Sequence, residues 1–215
     1  RFSKHQKVAV EVFNGSRGLI AENLFAENNF GLYLQRKFDG EIRDNRFLNN
    51  QTALYSTQTR NTPLIEQNLF QGNEVGLSAF SFSYPAVRHN RFLENRIALN
   101  HAQFGSALVA YNLFRNNGTA IHNNRKSNPT VNNNRFEKNE LALFCDYSSY
   151  PLVKQNHFLA NRAAAKLGIY QSADWEKRAG SKKLVRQQAL ARRSRNPLLE
   201  QAPTEYRDRV DLSGN

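Results

Sequence analysis

One triplet, Asn-x-Phe, recurs along most of the chain at an almost constant spacing. Its asparagines are separated by steps of 22, 23, 22, 22, 22 and 22 residues. The seven copies are Asn23–Phe25, Asn45–Phe47, Asn68–Phe70, Asn90–Phe92, Asn112–Phe114, Asn134–Phe136 and Asn156–Phe158. A fixed period of this length is typical of a solenoid, in which each repeat stacks on its neighbours and none can bury its apolar face alone.

Four further positions keep the same period. A second asparagine follows the first after five residues: Asn28, Asn50, Asn73, Asn95, Asn117, Asn139 and Asn161. An aliphatic residue precedes the first asparagine by three: Ile20, Ile42, Ile65, Val87, Val109, Val131 and Val153. A small residue followed by an apolar one completes the unit: Gly31-Leu32, Ala53-Leu54, Gly76-Leu77, Ala98-Leu99, Ala120-Ile121, Ala142-Leu143 and Ala164-Ala165.

Apolar positions inside one repeat are spaced by two, as in Leu32 and Leu34, which indicates strands. Helical stripes are missing, and a leucine-rich repeat would need several leucines at fixed offsets. The sequence therefore predicts an all-β fold, a parallel β-solenoid of about eight coils with three short strands each. We expect the phenylalanines to stack coil on coil, and the ladder asparagines to lie at the corners, where asparagine tolerates a left-handed backbone.

The motif of Ile or Val, Asn-x-Phe-x-x-Asn, a small residue and Leu resembles the right-handed parallel β-helix repeats of the pectin-lyase-like superfamily. Within it, the motif is similar to the periplasmic NosD-like and carbohydrate-binding repeat proteins. The resemblance covers about residues 8–168 and implies a right-handed β-helix. No catalytic motif of that superfamily matches residue by residue, so the resemblance assigns no catalytic residue.

Composition limits the partners. The formal net charge is +12, which attracts acidic partners. Much of this excess falls in 173–195, so we expect no nucleic-acid role for the coils. No stretch reaches the roughly 18–20 apolar residues of a membrane span. The single cysteine, Cys145, excludes an internal disulfide and a cysteine-rich metal site, and we predict no cofactor.

The chain divides into coils at 1–168, a basic segment at 169–209 and the start of a further coil at 210–215, where Leu212 and Asn215 resume the repeat spacing. Residues 173–195 are rich in helix formers, so we predict a helical insertion. Its eight basic residues would either bind an acidic partner or stay solvated on a helix packed over the coils. Arg1 in place of Met, and the absence of methionine throughout, suggest that the natural start is missing.

Outward positions of the strand that follows the small residue supply the candidate site. We expect amides, aromatic rings and charged groups to gather there and in the adjoining loops: Phe80, Phe82, Asn100, Phe104, His122, Asn124, Arg125, Asp146, Tyr147 and Tyr150. Aromatic rings beside amides suit a glycan or a protein surface, unless the rings fold back over the wall. Asp146 is the one carboxylate in these outward columns as read from Tyr33 onward, so a hydrolytic pair is not expected.

Two functions follow. The first is a non-catalytic binding or scaffold module of an exported protein, periplasmic or extracellular, that presents a flat face to a glycan or protein partner. The alternative is a lyase or epimerase acting on acidic glycans, with His122 or Arg125 as candidates for its chemistry. His101, Asn123 and Cys145 share an inward column, which we interpret as a buried polar ladder because two coils separate the histidine from the cysteine.

Overall fold

The computed structural model describes residues 1–15, 17–59, 61–146, 149–168 and 210–215. The regular secondary structure of these residues consists of β-strands alone. The strands form three parallel sheets wound as a right-handed β-helix. The chain passes from sheet A to sheet B to sheet C and then back to sheet A one coil further on. The predicted fold class is confirmed.

Sheet A carries the phenylalanines and has eight strands: β1 (Phe2–Ser3), β4 (Leu24–Ala26), β7 (Arg46–Leu48), β10 (Leu69–Gln71), β13 (Arg91–Leu93), β16 (Leu113–Arg115), β19 (Arg135–Glu137) and β22 (His157–Leu159). Sheet B has the longest strands, again eight: β2 (Val8–Val12), β5 (Phe30–Gln35), β8 (Thr52–Thr57), β11 (Val75–Phe80), β14 (Ile97–Ala102), β17 (Thr119–Asn123), β20 (Leu141–Asp146) and β23 (Ala163–Gly168). Sheet C has seven: β3 (Leu19–Ala21), β6 (Glu41–Arg43), β9 (Leu64–Glu66), β12 (Ala86–Arg88), β15 (Leu108–Ala110), β18 (Thr130–Asn132) and β21 (Leu152–Lys154).

The middle residue of each sheet A strand points inward and builds an aromatic ladder. Phe25, Phe47, Phe70, Phe92, Phe114, Phe136 and Phe158 pair in register, with ring centroids 4.7 to 4.9 Å apart and planes within 7° of parallel. This separation equals the distance between paired strands, so the sheet itself dictates the stacking. All but Phe158 are completely buried.

The ladder asparagines hold adjacent coils together. In a typical step, the backbone N–H of Asn45 donates to Oδ1 of Asn68 at 2.9 Å, and Nδ2 of Asn68 donates to the carbonyl oxygen of Ile42 at 2.8 Å. Each such amide gives a partner to a backbone N–H at the corner and adds a hydrogen bond to a carbonyl oxygen of the neighbouring coil. Asn68 is 2% exposed, so these bonds are shielded from water.

The left-handed residue at these corners is the one before each ladder asparagine, and the prediction that the asparagine itself takes that backbone was wrong. Positive φ angles occur at Glu22, Asp44, Gln67, His89, Tyr111, Asn133 and Gln155 in one column, and at Glu27, Asn49, Gly72, Glu94, Asn116, Lys138 and Ala160 in the other. The left-handed residue turns the chain outward. The asparagine that follows then directs its amide into the corner, where it reaches both neighbouring coils.

After the last complete coil the chain returns to the solenoid. Asp211 forms a parallel bridge with Leu152, and Oδ1 of Asn215 accepts the backbone N–H of Asn156 at 3.0 Å. Asn215 thus occupies the next step of the asparagine ladder. The predicted helical insertion at 169–209 lies outside the described residues. No helix in the described part of the chain is long and apolar enough to cross a membrane.

Candidate binding face

Sheet B presents the broadest outward surface of the described coils, because its strands are the longest. We call this surface the outer face and define it by two columns that point away from the core. The first column is Glu11, Tyr33, Tyr55, Ser78, Asn100, His122, Phe144 and Lys166. The second column lies two residues further along the chain from Tyr33 onward, with Asn124 just past the end of β17: Gln35, Thr57, Phe80, Ala102, Asn124, Asp146 and Gly168.

The predicted polar residues come together near one end of the outer face. Nδ2 of Asn124 donates to Oδ1 of Asn100 at 3.2 Å, and Nδ2 of Asn100 lies 3.4 Å from Oγ of Ser78. Nε2 of His122 lies 3.3 Å from Oδ2 of Asp146. These bonds use only part of what each group can donate or accept, and Oδ1 of Asp146 is buried without a hydrogen-bond partner. Four predicted site residues therefore form one polar strip.

The aromatic residues stack on one another along the solenoid. Phe82 and Phe104 lie 5.1 Å apart and 10° from parallel, and His122 lies 4.7 Å from Phe144 at the same angle. The ammonium of Lys166 lies over Phe144, 5.4 Å from its centroid. Because His122 and Lys166 cover its two faces, Phe144 offers only its edge to solvent. The geometry therefore gives less support to sugar stacking on open ring faces than the sequence predicts.

The tyrosines near the other end of the outer face follow the same rule. Tyr33 and Tyr55 stack at 4.9 Å, and Tyr55 lies 5.8 Å from Phe80 at a tilt of 32°. Burial, with a smaller contribution from Tyr33, raises the pKa of Tyr55 to about 12. Its hydroxyl therefore stays protonated at any physiological pH and can donate a hydrogen bond.

Two further loop residues of the predicted site, Arg125 and Tyr150, differ in exposure: the first is exposed and the second is buried. Arg125 is exposed, with a left-handed backbone at φ 49°. Tyr150 is 1% exposed and its backbone N–H donates to Oδ1 of Asn128 at 2.7 Å, so the turn buries it and it cannot contact a ligand. Tyr147 lies outside the described residues.

Sequence reasoning missed Glu11, a second carboxylate in the outward columns. It lies one repeat step before Tyr33, and that step was the signal that could have found it. Glu11 accepts a bond from Nε2 of Gln35. Six coils separate it from Asp146, or roughly 29 Å at the spacing of paired strands. That distance is far beyond the roughly 5–9.5 Å of a hydrolytic carboxylate pair.

Behind the outer face, the inward column contains the polar ladder predicted from the sequence. Nδ1 of His101 lies 2.8 Å from Oδ1 of Asn123, and Nδ2 of Asn123 lies 3.5 Å from Sγ of Cys145. Nε2 of His101 is buried without a hydrogen-bond partner. Burial lowers the pKa of His101 to about 4, despite the opposing hydrogen bond to Asn123. Burial also raises the pKa of Cys145 to about 11, so its thiol stays protonated.

His101 makes stability depend on pH. Its pKa is about 4 in the folded chain and about 6.5 when exposed, so the unfolded chain binds more protons between these values. The free energy of unfolding therefore has its full value above pH 6.5. It decreases as the pH drops toward 4, by up to about 3 kcal/mol. Urea unfolding at pH 7 and at pH 4.5 should show this loss. The His101→Asn variant, which extends the amide column, should lose much less between the two pH values, whereas His5→Asn, an exposed control, should behave like the original chain.

The described residues contain no cluster of three or more His, Cys, Asp or Glu side chains that could hold a metal ion. Among known families, a model described as "Periplasmic copper-binding protein (NosD)" matches residues 56–188, and one described as "Right handed beta helix region" matches residues 1–97. The searches of curated proteins and of solved structures returned no match.

Proposed function

The chain belongs to the NosD family, whose model matches more than half of its 215 residues, and within that family we propose that it is a non-catalytic binding module. In this proposal the outer face holds a partner protein against a rigid, flat surface. The NosD family is described as periplasmic, and we place this chain in the periplasm or outside the cell.

The family description names copper, but the described residues do not supply the ligand set of a copper site. Copper(I) prefers sulfur ligands and histidine, and the sequence contains no methionine and one cysteine. Cys145 lies two coils from His101, roughly 9–10 Å at strand spacing, which is too far for a shared metal ion. Asn123 stands between them and bonds Nδ1 of His101. We therefore propose no copper site within the described residues.

One observation supports the choice of a protein partner over a glycan. Neighbouring rings of the outer face stack on each other, and Tyr55 and Phe144 each have a neighbour on both faces, so they offer ring edges rather than open ring faces beside the amides of the polar strip. Edges and amides can pack against a flat protein patch and bond to its polar groups. The strands beneath are fixed by neighbours on both sides, so binding costs little ordering of this surface.

The polar strip is the place to test the proposal. In the Asn100→Arg variant, a long charged side chain replaces a half-buried amide of the strip and would block a flat partner. We expect site-specific crosslinking from position 144 to capture one defined protein with the original chain, and at least about tenfold less of it with Asn100→Arg. Arg91→Ala, on the outward side of sheet A, is the matched control and should leave capture unchanged.

Two results would count against a protein partner. Equal capture by Asn100→Arg and the original chain would remove the outer face from the interaction. Saturable binding to a neutral glycan array, lost in the same variant, would assign the face to a glycan instead. The basic segment 173–195 is a separate proposal, in which an acidic partner binds it. Deleting 173–195 should weaken capture of such a partner without changing capture through the outer face.

A further inference from the structure

The turns that follow sheet B contain a second candidate site, distinct from the outer face. A shallow cavity of about 440 Å³ opens there between the first three coils, lined by Asn14, Arg36, Lys37 and Gln58. Its size falls within the range of small-molecule pockets. Each of the first three coils contributes to the lining, so the solenoid, not one flexible loop, sets its shape.

Local backbone bonds fix the positions from which these side chains extend. The N–H of Gly15 donates to the carbonyl oxygen of Arg36 at 2.8 Å, and Nδ2 of Asn61 donates to that of Lys37 at 2.8 Å. Arg36 and Lys37 both have positive φ angles, as do Asn14 and Gln58. Paired left-handed residues recur in later turns of this series, for example at Ser81 and Phe82, so the backbone shape belongs to the turn. What distinguishes this turn is its set of side chains.

Two cations line the cavity without a counter-charge. Neither Arg36 nor Lys37 forms an ion pair within the described residues, and both are exposed. The nearest acids along the chain are engaged elsewhere: Glu11 accepts a hydrogen bond from Gln35, and Asp39 lies 3.9 Å from Arg17. An anion entering the cavity would meet two cationic side chains that form no ion pair within the described residues.

We propose that this cavity binds a phosphoryl group that carries two negative charges, as in a sugar phosphate. The guanidinium of Arg36 suits two oxygens of such a group, and Lys37 adds a second charge. The amides of Asn14 and Gln58 can donate to the remaining oxygens or bond to hydroxyl groups next to the phosphate. The site lies on the turn, so it does not depend on the partner proposed for the outer face.

Isothermal titration of the full chain at low salt tests the proposal with glucose 6-phosphate, inorganic phosphate and glucose. We expect saturable binding of glucose 6-phosphate with a dissociation constant of about 1 mM or tighter, and no binding of glucose. Binding should weaken at least about tenfold in the double variant Arg36→Gln, Lys37→Gln, because both charge-assisted contacts are lost. Equal affinity for inorganic phosphate would show that the anion alone is recognised and would also support the site.

The matched control is Arg46→Gln, Arg91→Gln, which removes the same charge from exposed positions on sheet A. It should bind glucose 6-phosphate within about twofold of the original chain, since these residues are remote from the cavity. An equal loss in both double variants would mean general attraction to a basic protein and would overturn the proposal. So would the absence of saturable binding up to about 10 mM ligand. Both variants should keep their melting temperature, because all four side chains are exposed.

Discussion

The Phe92→Ala variant should lose about 3–5 kcal/mol of unfolding free energy, the usual cost of truncating a buried aromatic ring. Phe92 is completely buried and stacks on both sides, 4.7 Å from Phe70 and 4.8 Å from Phe114. Truncation therefore removes two stacking contacts and opens a cavity between coils that strand pairing prevents from closing. Because each coil contacts only the coils on either side of it, the variant should also unfold locally around the missing ring.

Urea unfolding followed by circular dichroism measures this loss, and hydrogen exchange shows where the chain opens. Amide protection should fall most in β10, β13 and β16, the strands that carry the three rings. Phe13→Ala is the control, because Phe13 keeps 53% of its surface exposed, and it should cost about 1 kcal/mol or less. A loss of under about 1 kcal/mol for Phe92→Ala would contradict the view that the aromatic ladder holds the coils together.

Replacing Asn90 with alanine should be comparably damaging, although it removes no apolar surface. Oδ1 of Asn90 accepts the backbone N–H of Asn68 at 2.9 Å, and its Nδ2 donates to the carbonyl oxygens of Ile65 and Arg88 at 2.8 and 2.9 Å. Alanine leaves the backbone N–H of Asn68 without this partner and removes one hydrogen bond from each of the two carbonyl oxygens, at a corner where Asn90 is 1% exposed. A buried N–H left unsatisfied costs roughly 1–3 kcal/mol and each lost hydrogen bond about 0.5–1.5 kcal/mol, so we expect a total loss of about 2–6 kcal/mol.

The matched control for Asn90 is another asparagine on the surface. Asn29 is exposed and makes one side-chain bond, to the carbonyl oxygen of Gln6 at 3.2 Å. Asn29→Ala should change the unfolding free energy by less than about 1 kcal/mol. If the two asparagine variants unfold at the same urea concentration, the corner amides are not what binds one coil to the next.

Repetition made the fold predictable. The repeat position of Phe47 is phenylalanine in all seven copies, and that of Asn50 is asparagine in all seven. In stacked coils, residues at the same repeat position lie in one column. The residues with left-handed backbone could not be predicted, because neither of their two columns keeps one residue type. Glu22, Tyr111 and Lys138 all take a positive φ, and nothing in their side chains signals it. The turn geometry imposes that backbone, while the sequence records only the asparagine that follows.

The repeat period also predicted which residues of the candidate site share a surface, but not how their side chains pack. Period alone places Asn100, His122 and Asp146 on one outward surface, since strand residues alternate between faces. Period does not reveal how rings orient, so the mutual stacking of Phe82 and Phe104 could not be anticipated. The burial of Tyr150 could not be anticipated because the residues at the same position in earlier turns, Tyr84, Ser106 and Asn128, differ in type and give no column signal.

The register described for the three sheets has a consequence for how such a protein can change in size. Every described coil is aligned with the next in all three sheets, and the same contacts recur at each step. Deleting or duplicating one whole repeat would keep this register, so the coils newly brought together would still set phenylalanine on phenylalanine and ladder asparagine on ladder asparagine. Length is therefore adjustable only in units of one coil, each about 4.8 Å along the axis. In a molecule built this way, the number of repeats between two binding sites fixes the distance between the groups bound there.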